Sequence, residues 1–135
     1  MLSEEKTVSC RKKILVADDD SEIRNLLILS LSSKGYDVIS CADGAAALVK
    51  IKEHRPELLI LDLMMPVMDG YHLCHHVVFE SDIYPVPKII MLTCRKENRD
   101  REMGERTGAD IYMTKPFSID SVADKVKELI GGPQK

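Results

Sequence analysis

Five short apolar runs constrain this chain more than any other feature: Ile14-Leu15-Val16-Ala17, Val38-Ile39, Leu58-Leu59-Ile60-Leu61, Ile89-Ile90-Met91-Leu92 and Ile111-Tyr112-Met113. Most are apolar at every position instead of alternating. Strands of that kind need cover on both faces, which is the condition of a parallel sheet. The stretches between them supply the cover. Ile119, Val122, Ala123, Val126, Leu129 and Ile130 recur at the spacing of a helix with one apolar face, with Ser118 placed to cap it and Asp120 in its first turn. Ile23, Leu26, Leu27 and Leu31 repeat the spacing earlier, and Leu48 with Ile51 does so more weakly. Asp43 and Asp69, each followed by Gly, are placed to start helices. The result is five consecutive strand–helix units. Right-handed crossovers then put helices on both faces of one doubly wound, five-stranded parallel α/β sheet.

Size and charge remove other classes. A chain of 135 residues, 44% hydrophobic and 30% charged, fits one domain with a real core. A net charge of -3 runs against phosphate neutralisation, so no direct nucleic-acid partner is expected. No apolar run approaches the roughly 18 residues of a membrane span. The start, Met1-Leu2-Ser3-Glu4-Glu5-Lys6, lacks the basic-then-apolar order of a signal peptide. Cys10, Cys41, Cys74 and Cys94 are scattered with no CxxC pair, which reads as free thiols. The expected address is the cytoplasm, with no membrane contact. The expected boundaries are a flexible segment at 1–11, the folded domain at 12–131 and a tail or linker start at 132–135. Within Arg95–Arg106, nine of twelve residues are charged and Met103 is the only large apolar side chain. A helix there has little to bury and is expected to be the least stable.

In an open parallel sheet, functional groups gather beyond the carboxyl ends of the strands. Those positions hold Asp18, Asp19 and Asp20 after the first strand, Asp62 after the third, Thr93 after the fourth and Lys115 after the fifth. Asp20 reads as the cap of the next helix. If the first and third strands are neighbours, Asp18 or Asp19 comes close to Asp62. Carboxylates so close repel unless a cation compensates them. Lys115 offsets one charge but not the cluster. A hard divalent ion with oxygen ligands offsets the rest, and Mg²⁺ suits few carboxylates with several waters. A carboxylate beside such an ion can attack phosphorus and form an aspartyl phosphate. The three phosphoryl oxygens then need partners, and the ion, the Thr93 hydroxyl and the Lys115 ammonium number three.

Ile14-Leu15-Val16-Ala17-Asp18-Asp19-Asp20, Leu58-Leu59-Ile60-Leu61-Asp62-Leu63-Met64-Met65-Pro66-Val67-Met68-Asp69-Gly70, Met91-Leu92-Thr93 and Tyr112-Met113-Thr114-Lys115-Pro116-Phe117 together resemble the receiver domain of two-component response regulators. The likeness runs in register from about residue 11 to 131. It implies a flavodoxin-like sheet in the order 2-1-3-4-5. It implies Asp62 as phosphoacceptor from a sensor histidine kinase or phosphotransfer protein. Mg²⁺ would be held by Asp19, Asp62 and the Met64 backbone carbonyl, with Asp18 acting through water. Thr93 and Lys115 would bind the phosphoryl oxygens. Thr93 and Tyr112 would form a switch coupled to the face of the fourth helix, fifth strand and fifth helix, where an output partner or domain of unknown identity would meet it. A cis Lys115–Pro116 bond and a homodimer on activation are further implications. The chain would catalyse only its own phosphorylation and dephosphorylation.

Met64, two residues past the acceptor, cannot activate an attacking water, and Cys94 leaves access open, so slow to moderate loss of the phosphoryl group is expected. His72, His75 and His76 have spacings that could gather ring nitrogens around a metal, but without a clear fourth ligand a surface helix face is favoured. Two rival functions remain: a phosphohydrolase of the haloacid dehalogenase type with Asp18 or Asp20 as nucleophile, and a receiver-like interaction domain that no longer uses phosphate.

Overall fold

The computed structural model describes residues 11–94, with Cys94 by its backbone alone, and 108–133. Arg95–Arg106, with its expected weak helix, lies outside the described residues, as do residues 1–10 and 134–135. The described elements are, in order, β1 (Lys13–Ala17), α1 (Ser21–Ser33), β2 (Asp37–Cys41), α2 (Gly44–His54), β3 (Leu58–Asp62), α3 (Gly70–His75), β4 (Lys88–Cys94), β5 (Ile111–Lys115) and α4 (Ile119–Ile130). The α4 helix is the fifth of the sequence reading. A π-helical turn, His76–Glu80, continues α3. The five strands form one parallel sheet in the order β2-β1-β3-β4-β5, as expected.

Successive strand residues point to opposite faces, and here both faces are dry. Leu15, Leu59, Leu61, Ile89 and Met91 pack with Ala47 and Ile51 of α2 and Leu73 of α3. Ile14, Val16, Leu58, Ile60, Ile90 and Leu92 pack on the other face with Leu27 and Leu31 of α1 and Val122 and Val126 of α4. This two-sided burial is the physical reason the strand sequences are continuously apolar.

Each described α-helix starts on a polar side chain that takes up one of its unpaired N–H groups. Asp20 accepts from the Glu22 amide, Asp43 from Ala46, Asp69 from His72 and Ser118 from Ser121. The chain therefore turns from strand to helix immediately above the carboxyl edge of the sheet. At the opposite edge the end of α4 is fastened down. The Tyr36 hydroxyl donates to the Gly131 carbonyl at 2.8 Å, the Lys12 amide donates to the Pro133 carbonyl at 2.7 Å, and the Lys12 ammonium reaches the Ile130 carbonyl. Cys41 and Cys74 are buried, and neither is in a disulfide among the described residues. Among the described residues, no helix is long and apolar enough to cross a membrane.

Candidate functional site

The pairing of Ala17 with Leu61 sets the ends of β1 and β3 side by side. Asp18 and Asp62 are buried there and Asp19 is exposed. One carboxylate oxygen from each of Asp18, Asp19 and Asp62 lies within 4.8 Å of the others. Lys115, at the end of β5, reaches across β4 to the same point. Its ammonium stands 3.0 Å from Asp18 Oδ2 and 3.3 Å from Asp62 Oδ2.

Asp18 is held rigidly. Its Oδ1 accepts from the Asp20 amide at 2.9 Å, and the Arg24 guanidinium donates to its carbonyl at 2.8 Å. Among the described residues, its buried Oδ2 meets only the Lys115 ammonium. Asp62 Oδ1 accepts from the Met64 amide at 3.1 Å. Burial and the adjacent Asp18 charge push the Asp62 carboxyl up to about 6, against the pull of Lys115. Burial alone would lower the Lys115 ammonium, but Asp18 and Asp62 hold it above its usual value. Two carboxylates thus share one ammonium, and a third stands beside them. This all-oxygen donor set, with an under-satisfied buried oxygen, fits a hard divalent cation.

The remaining expected residues lie on neighbouring elements. Thr93 is buried at the end of β4, one residue past Leu92, the strand partner of Asp62. Tyr112 pairs with Met91 in β5 and is partly buried against the core face shared by α2 and α3. The Lys115–Pro116 bond is cis. The Met64 side chain points to solvent while its amide faces the site. The histidines are not gathered: His72 pairs with Asp69 at 2.8 Å, and His75 and His76 lie 3.6 and 3.3 Å from Glu80. Among the described residues, the aspartate triad is the one group able to hold a metal.

Several contributors were not read from the sequence. Arg24 sits at helical spacing after Asp20, but nothing marks its reach back to the Asp18 carbonyl. Gly44 and Gly70 pack directly on the backbone of the β3–α3 loop: a Cβ would lie 1.9 Å from the Met68 oxygen at Gly44 and 2.3 Å from the Asp62 oxygen at Gly70. Val67 has φ 70°, in the left-handed region a β-branched residue rarely enters.

The sequence pattern of the response regulator receiver domain matches residues 14–127. Over 120 residues the chain is 45% identical to a probable transcriptional regulator, ycf27, of Porphyridium aerugineum, covering 89% of this chain and 48% of that protein. Over 119 residues it is 43% identical to the alkaline phosphatase synthesis transcriptional regulatory protein PhoP of Bacillus subtilis, covering 88% of this chain and 48% of PhoP. The chain therefore spans about half the length of these relatives. Among solved structures, a putative response regulator from Chloroflexus aurantiacus superposes with a TM-score of 0.82 at 33% identity, covering 88% of this chain and 97% of that one.

Proposed function

The chain belongs to the response regulator receiver domain family, and from that premise we propose that it is a phosphorylation-dependent switch with Asp62 as acceptor. The donor is a phosphohistidine on a sensor histidine kinase or phosphotransfer protein. The observation that carries this reading is the Lys115 ammonium bridging Asp18 and Asp62 beside Asp19 at the carboxyl edge of the sheet.

Mg²⁺ is the proposed cofactor, with Asp19, Asp62 and the Met64 carbonyl as ligands and Asp18 acting through water. When bound, it supplies positive charge against the phosphoryl oxygens and the carboxylates that meet them. The chain's own residues do the rest. The Met64 amide orients the Asp62 carboxylate. A carboxylate oxygen attacks phosphorus, the O–P bond forms as the N–P bond breaks, and the leaving imidazole takes up a proton. Lys115 and Thr93 hold two of the equatorial oxygens.

The added charge, roughly -1.5 to -2, draws the Thr93 hydroxyl inward. Tyr112 then follows into the space vacated and biases the face of β5 and α4 toward an output partner. The chain catalyses only its own phosphorylation and dephosphorylation.

Intact-mass spectrometry after incubation with acetyl phosphate and Mg²⁺ tests the acceptor. A single adduct lost with chelator and in Asp62→Asn is expected; no adduct and no Mg²⁺ binding would sink the assignment. The switch is tested by NMR of the Tyr112 ring, whose environment must change on phosphorylation.

A further inference from the structure

The loop between Asp62 and Gly70 is gripped at both ends by glycines. At Gly70 a Cβ would fall 2.3 Å from the Asp62 carbonyl oxygen. At Gly44, the first residue of α2, a Cβ would fall 1.9 Å from the Met68 carbonyl oxygen and 2.7 Å from its carbon. Both close approaches are to backbone, which cannot swing aside as a flexible side chain would. The loop between the grips has no slack. The Met68 amide donates to the Pro66 carbonyl at 2.8 Å and closes a three-residue turn around Val67, whose φ is 70°. Such a turn is rare and strained. Strain of this kind persists only where the surroundings over-determine it, and the two glycine contacts are what over-determine it here.

Met64 belongs to the same loop, with its amide on Asp62 Oδ1. We propose that Gly44 is a positioning residue for the metal half of the site: by seating the Met68 peptide on α2, it fixes the strained Val67 turn and hence the direction of the Met64 carbonyl. The inference rests on the Mg²⁺ reading given above. A side chain at position 44 displaces Met68. Gly70 blocks relief at the other end, so the displacement passes back through the turn to Met64.

Calorimetric titration with Mg²⁺ of the unmodified chain and of Gly44→Ala, with thermal unfolding in parallel, tests this. Gly44→Ala is expected to weaken Mg²⁺ binding by the folded protein about tenfold, the scale seen when residues that orient a metal ligand are changed. Adding Val67→Gly, which lets the turn absorb the displaced peptide, is expected to recover part of the loss. A lowered Tm with unchanged affinity would overturn the proposal and leave Gly44 a packing residue. Where Gly44→Ala does not fold, hydrogen exchange on the unmodified chain decides. Coupling is reciprocal, so Mg²⁺ must slow exchange at the Met68 amide more than at Val126 in α4; equal slowing would overturn it. Absence of Mg²⁺ binding by the unmodified chain would remove the site reading and this inference together. Normal binding there, with equal binding by Gly44→Ala, would remove only the inference.

Discussion

Asp62, as the proposed acceptor, has to meet two opposed demands, burial among other acids and readiness to act as a charged nucleophile. The folded chain holds its proton up to about pH 6, whereas an ordinary aspartate releases it near 3.8. Between those values the folded state binds more protons than the unfolded one. The contribution of Asp62 to stability is therefore complete below about pH 4 and lost as the pH rises through about 6. Asp62→Asn should accordingly raise the Tm of the metal-free protein at pH 7 by roughly 2–6 °C. That gain should vanish at pH 4, and a gain of equal size at both values would refute the electrostatic account. Met64 tests the other side of the same carboxylate. Its exposed thioether offers nothing to a water attacking the phosphoryl group, so Met64→Asn should speed decay of the phosphorylated form by several-fold, followed as loss of the mass adduct. An unchanged decay would show that water reaches the site without help from this position.

At the scale of elements, the strand-to-helix turns carry much of the local stability. Ser118 accepts from the Ser121 amide at 3.0 Å, and Ser118→Ala should cost about 1 kcal/mol in urea unfolding. A loss near zero would mean that packing of Val122 and Val126 alone fixes the start of α4. The strands and these caps were legible because their signals are local: unbroken apolar runs for two-sided burial, and an acid or serine directly before each helix. Asp18, Asp19, Asp62, Thr93 and Lys115 were legible as a set for the same reason, since each lies at or just beyond the carboxyl end of a strand. Which of the two neighbouring aspartates is buried depends on where β1 ends, so strand spacing alone did not separate Asp18 from Asp19; only the family resemblance gave them different roles. The grip of Gly44 on Met68 joins separate units and leaves no periodic trace. The left-handed backbone at Val67 contradicts local preference outright, because a β-branched residue stands where tertiary contacts impose a conformation suited to glycine. The π-helical turn after α3 likewise has no signal in the spacing of its apolar residues.

Across the whole molecule, the fold separates a chemical edge from a mechanical one. The fastening at the far edge ties Lys12 and Tyr36 to the last residue of α4 and the one after it, through contacts 118 and 95 residues apart in sequence. Tyr36→Phe keeps the buried ring and removes only the donor to the Gly131 carbonyl. It should cost about 1 kcal/mol in urea unfolding without altering Mg²⁺ binding at the opposite edge. A matching change in Mg²⁺ affinity would show that the two edges are coupled through the sheet.

That fastening also dictates how news can leave the molecule. With the Gly131 and Pro133 carbonyls tethered, residue 133 is a fixed post, one strand length of roughly 17 Å from the acids. On the proposed function, chemistry at Asp62 would be broadcast sideways, as a change in the relief of the flank that β5 and α4 present, and a listener tethered at the other end would have to be tall enough to touch that flank.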